Sequence, residues 1–351
     1  MMEMTSRERV FTALEHKTPD RCPVDFWAES TTLQTLFKYF GVSSEEALLD
    51  IFDVDLQFVG PRSLGKPSVT LPDGGFENPD GSRYRFVKND SCAYAECVYR
   101  PLEDMETVDE VRTYDKWPDA DAFDWDHFAE DIGKRHEKRV IKLFTGGLFE
   151  RAWGLRGQEN FLTDMILSPD IPHYIMGKLT DYFIDYVRHA MDAAGDLIDI
   201  VYTYDDIATQ KSLIMSHEML EEFVYPYHRK LNAVIRHYGK RVLYHSCGAV
   251  FPEIPSLMSH PIDILNPLQP LAAGMDLQKI KDTYGSVLSF HGGIDIQELL
   301  PHGSPEEVKN AVRRAISILG KDGGYIMTAA HNIQNDTPVE NIIAMYDPAL
   351  R

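Results

Sequence analysis

Short apolar runs alternate with longer amphipathic segments along most of the chain. Eight runs rich in β-branched and aromatic residues are each followed by a stretch in which apolar residues recur at helical spacing. This alternation is typical of repeated βα units with a parallel sheet, and eight units are the number in a TIM (β/α)8 barrel, an α/β fold. The predicted strands span residues 22–27, 54–59, 140–145, 198–204, 242–245, 262–266, 287–291 and 325–328.

The segments between these runs carry sequence signals for helix starts and for one irregular excursion. Capping boxes, in which a Ser or Thr precedes a Glu by three positions, are predicted at Thr5, Ser304 and Thr337. Segment 71–100 contains two Pro-Asp-Gly turns and alternating strand-like residues, which predict an inserted β-hairpin or meander after the second strand. Such an insertion can help to close a site or serve as a structural flap. No linker marks a boundary, so we expect residues 1–351 to form one domain.

Charge and composition narrow the classes of partner. The chain has 35 Lys and Arg against 55 Asp and Glu, a net charge of -20 that repels nucleic-acid backbones and anionic membranes. No apolar stretch approaches the roughly 18 residues of a membrane span, and no secretory signal is recognisable, so we expect a cytoplasmic protein. The four cysteines form no CxxC pair, which predicts reduced thiols rather than a disulfide framework.

Three candidate metal ligands lie where predicted strands end, the place where barrel enzymes build their active sites. His245 and Cys247 are two residues apart at the end of one strand, so both side chains can point the same way. His331 follows the last strand and supplies a third ligand, the number that a catalytic zinc site requires. The alternative is that His245 is a hydrogen-bonded core histidine and Cys247 an inert buried thiol.

Other polar and aromatic side chains share the same predicted rim. Asp205 and His291 are candidate catalytic residues, because each ends or follows a buried strand. For Asp205 a structural role is the alternative, and for Asp206 a turn cap is favoured; His217 and His228 are interpreted as surface or packing residues. Glu150 can act as a fourth ligand or form a salt bridge with a nearby arginine. The candidate substrate-binding residues are Phe26, Trp27, Glu150, Asn266 and Gln269.

Motifs spread through most of the chain resemble a known superfamily. They are Thr5-Ser-Arg-Glu-Arg-Val, Pro19-Asp-Arg-Cys-Pro-Val, Gly147-Leu-Phe-Glu, Leu155-Arg-Gly, Asp205-Asp206 with Pro226, His245-Ser-Cys-Gly, and Gly323-Gly-Tyr-Ile with Thr337-Pro-Val-Glu-Asn. Together these motifs resemble the uroporphyrinogen decarboxylase superfamily. That superfamily includes cobalamin-dependent methyltransferases similar to the methanol and methylamine coenzyme M enzymes.

The resemblance is closer to the methyltransferase branch. The Arg-rich segment with which true decarboxylases hold porphyrinogen carboxylates is missing, and acidic Asp25 and Glu29 stand there instead. The methyltransferases bind zinc through a His-x-Cys motif, matched by His245 and Cys247, and a later Cys, whose place is taken by His331. A site with one thiolate is more positively charged than one with two, and is a stronger Lewis acid.

The resemblance therefore implies a zinc- and corrinoid-dependent methyltransferase. Zinc is expected to act as a Lewis acid, and a corrinoid (cobalamin) on a partner protein is expected to carry the methyl group. The other reactant is a small methylated donor, such as a methyl ether undergoing O-demethylation, or a small methyl acceptor. A uroporphyrinogen decarboxylase-type enzyme and a non-catalytic barrel that binds corrinoid or tetrapyrrole remain alternatives. A homo-oligomer is compatible with the sequence.

Overall fold

The computed structural model describes residues 3–88 and 93–351. Within these ranges the strands are β1 Leu56–Val59, β2 Val69–Thr70, β3 Phe76–Glu77, β4 Arg83–Lys88, β5 Ala93–Tyr99, β6 Val140–Gly147, β7 Ile200–Tyr204, β8 Arg241–His245, β9 Ile264–Leu268, β10 Ser289–Ile294 and β11 Tyr325–Ala329. The α-helices are α1 Ser6–Leu14, α2 Ser30–Phe40, α3 Glu45–Ile51, α4 Val108–Arg112, α5 Phe128–Ile132, α6 Arg135–Lys138, α7 Leu148–Arg156, α8 Gln158–Leu167, α9 Asp170–Ala194, α10 His217–Phe223, α11 Tyr225–His237, α12 Ile254–Met258, α13 Leu277–Tyr284, α14 Leu299–His302, α15 Pro305–Leu319 and α16 Val339–Met345. Short 3-10 helices span Ala120–Ala122, Gly195–Leu197, Phe251–Glu253 and Pro348–Leu350.

Seven strands form one curled parallel sheet in the order β1-β6-β7-β8-β9-β10-β11. Each strand pairs with the next of these strands along the chain, as expected for successive βα units. The register places Tyr204 beside His245 and His245 beside Asn266. The predicted α/β class with a parallel sheet is therefore confirmed, and seven of the eight predicted strands are present with end shifts of a few residues.

The first predicted strand, at residues 22–27, is not a regular strand, and that prediction was wrong. The segment makes single parallel bridges from Val24 to Met327 and from Ala28 to Ile333. Two side chains explain the loss of regular pairing. Proline at position 23 has no N–H to donate, and the N–H of Val24 donates to the carboxylate of Asp55 at 2.9 Å instead of to a strand carbonyl. The segment nevertheless hydrogen-bonds to Met327 of β11 on one side and to Asp55, the residue before β1, on the other.

The sheet separates two hydrophobic clusters. The larger one lies between the strands and the surrounding helices. The smaller one fills the inside of the curled sheet, where α1 contributes Val10 and Leu14 to a layer that includes Leu243 and Ile326. Since side chains alternate along a strand, every second residue of β1 and β6–β11 faces this interior. No helix in the described parts of the chain combines the length and apolar character needed to cross a membrane.

Helix caps follow the sequence signals in two of three cases. Thr5 and Ser304 form complete capping boxes at α1 and α15, as predicted. The predicted box at Thr337 is absent, because α16 begins at Val339 and Pro338 occupies the cap position. The cysteines 22, 97 and 247 are free thiols, and Cys92 lies outside the described residues.

A second, antiparallel sheet has the strand order β2-β3-β4-β5. Its strands β3–β5 lie in segment 71–100, where the sequence predicts a hairpin or meander, and β2 directly precedes that segment. Positions 89–92 are outside the described residues. Its status as an insertion into the fold remains a prediction.

A tight turn carries the chain away from the end of β8. Gly248 has φ of 88°, and a Cβ there would lie 2.4 Å from the carbonyl oxygen of Thr209. Gly41, at the end of α2, has φ of 67° with open space around the same position. Both glycines adopt the left-handed region, but only Gly248 is also packed against backbone.

We expect Gly248→Ala to destabilise the protein more than Gly41→Ala does. The second change costs about 1 kcal/mol of backbone strain, whereas the first adds a clash and should cost roughly 3 kcal/mol or more. Denaturant unfolding of both variants measures the difference. Equal losses of unfolding free energy would show that the Thr209 contact is unimportant.

Candidate metal centre

Three potential ligands converge at the carboxyl ends of two strands. His245 ends β8, Cys247 follows it, and His331 lies shortly after β11; one ligand atom from each lies within 4.8 Å of the others. The Nε2 of His245 and the Sγ of Cys247 are 3.3 Å apart. Ligand atoms of a tetrahedral zinc site are about 3.3–3.6 Å apart, so small side-chain rotations complete the arrangement. His245 is buried, whereas Cys247 and His331 are partly exposed, which leaves an open side.

Both imidazoles are held so that Nε2 is the free nitrogen. The Nδ1 of His245 donates to the Oδ1 of Asn266 at 2.6 Å, and the Nδ1 of His331 donates to the side-chain oxygen of Asn332. Burial lowers the pKa of His245 to about 4, so its ring is neutral at physiological pH. Burial raises the pKa of the Cys247 thiol, so a stable thiolate there requires a nearby cation. These donors fit a zinc ion.

Two acidic side chains border the ligands. The Oδ1 of Asp206 accepts the N–H of Cys247 at 2.8 Å and lies 3.7 Å from the Nε2 of His245. The N–H of Asp206 donates to Glu150 at 3.0 Å. Burial, together with the charges of Asp205 and Asp206, raises the pKa of Glu150 to about 7. The sequence favoured a turn cap for Asp206. Only the pair of adjacent carboxylates after a strand indicated that it could lie beside the candidate ligands.

Asp205 is completely buried and fully hydrogen-bonded. Its carboxylate accepts N–H groups from Leu148, Phe149 and Glu150 at 2.8–3.0 Å, which caps the start of α7. It also bonds to the Nε2 of His228 at 2.5 Å. His228, interpreted from sequence as a surface or packing residue, is completely buried. The structure therefore places Asp205 behind the rim and away from the open side.

An aromatic wall covers one side of the ligands. Trp27 stacks on His331 with ring centroids 5.0 Å apart, and its edge faces His245 at 6.3 Å. Phe58 continues the wall, 6.0 Å from Trp27, and Phe144 follows at 5.9 Å. A cleft of about 480 Å³ is lined in part by these three aromatic residues.

Two further candidate substrate-binding residues do not reach the open side. Phe26 packs in the core against Phe52 and Tyr346, with centroid distances of 5.4 and 5.6 Å. The Oε1 of Gln269 accepts the N–H of Gly248 at 2.7 Å, which holds the turn after the Cys247 ligand. Of the two neighbouring aromatic candidates, the structure brings only Trp27 to the ligands.

The remaining candidates, Asn266 and His291, lie behind His245 in the interior of the sheet. The Nδ2 of Asn266 and the Nδ1 of His291 are 2.5 Å apart, and the Nε2 of His291 is 2.8 Å from Asp25. Although burial opposes it, the nearby Lys142 ammonium and His291 lower the pKa of Asp25 to about 2. Lys142 was not identified from the sequence as part of this interior. Its position as the one charged residue within an apolar strand could have indicated a buried, paired role.

Comparisons with known proteins agree on one family. The uroporphyrinogen decarboxylase (URO-D) family model matches residues 136–349. A methylated-thiol–coenzyme M methyltransferase of Methanosarcina mazei is 27% identical over 61% of this chain and 54% of its own length. The methylcobamide:CoM methyltransferase MtbA of the same organism is 22% identical over 99% of this chain and 98% of its own length. A uroporphyrinogen decarboxylase of Thermosynechococcus vestitus is 21% identical over 51% of this chain and 49% of its own length.

The chain thus spans about half the length of the first and third of these relatives, and nearly all of MtbA. Among solved structures, a methyltransferase from Methanosarcina mazei superposes with a TM-score of 0.67 at 16% identity, covering 98% of this chain and 97% of that one. At that identity the superposition demonstrates a shared fold. Because the family model spans more than half of the sequence, this chain belongs to the uroporphyrinogen decarboxylase family.

Proposed function

We propose that this chain is an enzyme that transfers a methyl group between a small molecule and a corrinoid carried by a partner protein. Zinc is held by His245, Cys247 and His331. The observation that carries the proposal is the convergence of these ligand atoms within 4.8 Å, with the Nδ1 of each imidazole already hydrogen-bonded. Support comes from two relatives whose names describe methyltransferases, one of them acting on a methylcobamide, which is a corrinoid.

The residues around the ligands have distinct tasks in this reaction. Bound zinc supplies Lewis acidity toward an oxygen, nitrogen or sulfur of the methylated molecule or of the methyl acceptor. Trp27 and the neighbouring aromatic residues exclude water from one side of the site and pack against the substrate. Glu150, with a pKa of about 7, exchanges a proton with the substrate near neutral pH. Asp205 and His291, first considered as catalytic residues, are fully hydrogen-bonded, and we assign them positioning roles.

The substrate class follows from the same surfaces. Because Trp27 and Phe58 place apolar aromatic rings beside His331, this wall favours a methylated donor of low polarity, such as a methyl ether that undergoes O-demethylation. The acidic rim formed by Glu150 and Asp206 disfavours a polyanionic porphyrinogen.

The wider architecture of the proposed enzyme is a single (β/α)8 barrel over residues 1–351. The segment at 22–28 completes the barrel between β11 and β1, and the four-stranded sheet is an insertion into it. The enzyme is placed in the cytoplasm, and its net charge of -20 disfavours nucleic-acid and anionic membrane partners. Its partners are then the corrinoid protein and the small substrate.

Cys247→Ala tests the ligand assignment. We expect the wild-type chain to bind about one zinc ion per chain and Cys247→Ala to lose most of it, because a three-ligand site would be reduced to two. Cys97→Ala is the matched control, since Cys97 is also a partly buried free thiol but lies in the four-stranded sheet. Elemental analysis after dialysis gives the stoichiometry. Unchanged zinc in Cys247→Ala would contradict the assignment.

The reaction class is tested with free cobalamins in place of the corrinoid protein. Cob(I)alamin is offered methyl ethers, and methylcobalamin is offered thiols, with absorbance reporting the cobalt–carbon bond. We expect zinc-dependent transfer that falls at least about 100-fold in His331→Ala, since loss of a metal ligand removes the Lewis acid. His237→Ala, an exposed histidine on α11, should retain the wild-type rate. Metal-independent release of carbon dioxide from uroporphyrinogen, with no methyl transfer, would establish the decarboxylase alternative.

A further inference from the structure

A continuous chain of buried hydrogen bonds runs inward from the metal centre. The Nδ1 of His245 is 2.6 Å from the Oδ1 of Asn266, whose Nδ2 is 2.5 Å from the Nδ1 of His291. The Nε2 of His291 is 2.8 Å from the Oδ2 of Asp25, and the same oxygen pairs with the ammonium of Lys142. All five side chains are buried.

Strand geometry places this network of hydrogen bonds inside the curled sheet. On β6, Lys142 lies two residues from Val140, which belongs to the inner hydrophobic cluster, and therefore faces the same interior. On β8 and β9, His245 and Asn266 likewise lie two residues from the inner-cluster residues Leu243 and Ile264 and share their face. Every link is therefore buried, and each polar group is satisfied by its neighbour in this network of hydrogen bonds.

The carboxylate of Asp25 determines the direction of every hydrogen bond. A carboxylate can only accept, so the Nε2 of His291 donates to it, and the Nδ1 of a neutral His291 must then accept. The amide of Asn266 consequently turns its NH₂ toward His291 and its oxygen toward His245. His245 then donates from Nδ1 and keeps the lone pair on Nε2, the nitrogen that faces Cys247.

Asp25 is itself held firmly as an anion. Besides Lys142 and His291, its Oδ1 accepts the N–H of Phe26 at 2.9 Å. The Lys142 ammonium also lies 3.7 Å from the centre of the Phe58 ring, a cation–π contact. Asp25 and Lys142 therefore each have several partners, which a buried ion pair needs.

We propose that the Asp25–Lys142 ion pair is a remote positioning device for the metal centre. Acting through His291 and Asn266, it selects the tautomer of His245 that offers Nε2 to the metal. The metal part of this inference rests on the proposed function, whereas the tautomer selection is a property of the metal-free chain. None of the four supporting residues needs to touch substrate.

Asn266→Leu tests the link next to the ligand. Removing the acceptor of the Nδ1 proton should weaken zinc binding by about 10- to 100-fold in a competition with a chromogenic chelator. Asn341→Leu is the matched control: Asn341 is equally buried and bonds to the carbonyls of Leu300 and Gly303, outside this chain of hydrogen bonds. That variant should lose stability and keep its zinc affinity. Asn266→Asp keeps an acceptor for the Nδ1 proton of His245 but loses the donor to His291, so its zinc affinity should lie between those of Asn266→Leu and the wild type.

The charged end is tested with a double substitution, because Asp25→Asn alone would strand the Lys142 ammonium in the interior. In Asp25→Asn with Lys142→Met the ion pair is removed together with its charge. We expect zinc affinity to fall roughly tenfold, since His291 no longer has a fixed direction. Asp164→Asn with Arg156→Met is the matched control, because it removes another buried ion pair, 2.7 Å apart and outside this network of hydrogen bonds, and should keep the wild-type zinc affinity.

Nitrogen-15 NMR of histidine-labelled, metal-free protein provides a readout that is independent of zinc. The wild type should show His245 as a single tautomer protonated at Nδ1, and Asn266→Leu and the double variant should show a mixture. If both variants retain the wild-type tautomer and bind zinc within twofold of the wild type, the positioning role is overturned. If the tautomers behave as expected but the wild type binds no zinc, the positioning role of the Asp25–Lys142 pair stands and the proposed function fails.

Discussion

A charge buried without water needs permanent partners, and the Asp25–Lys142 pair meets that need at the centre of the fold. Lys142 comes from β6 and Asp25 from the irregular segment that pairs with β11 at Val24, so the ion pair joins that segment to the sheet. The polar side chains around it lie between the inner apolar cluster, to which α1 contributes, and the end of the sheet that carries the candidate ligands. The orientation of His245 follows from this layer.

The alternation of strand residues made most of the fold predictable. The apolar runs identified all strands of the parallel sheet, because their side chains are buried on both faces. The segment at 22–27 has the same apolar appearance but lacks regular pairing. Its irregularity depends on a long-range hydrogen bond from Val24 to the Asp55 carboxylate, which local sequence patterns do not encode.

The candidate metal ligands were accessible to sequence reasoning for a similar reason. His245 and Cys247 lie two residues apart at the end of a strand, and this spacing indicates that both side chains can point the same way. The surroundings were harder to foresee: Asp206 reaches the ligands only because the chain turns after β7, and Asp25 meets His291 across a sequence separation of 266 residues. Trp27 and Phe26 look equivalent in sequence, yet only one faces the ligands.

The candidate ligands come from two separate places in the sequence. This separation affects how the site can change during evolution. His245 and Cys247 share the β8 end, which is locked by internal hydrogen bonds and a crowded glycine turn. His331 lies on a separate loop, and its ring is held by the adjacent Asn332 and by stacking on Trp27. A lineage can therefore exchange the third candidate donor, and with it the electrophilicity of any metal held there, through changes in one loop while the rest of the scaffold remains intact.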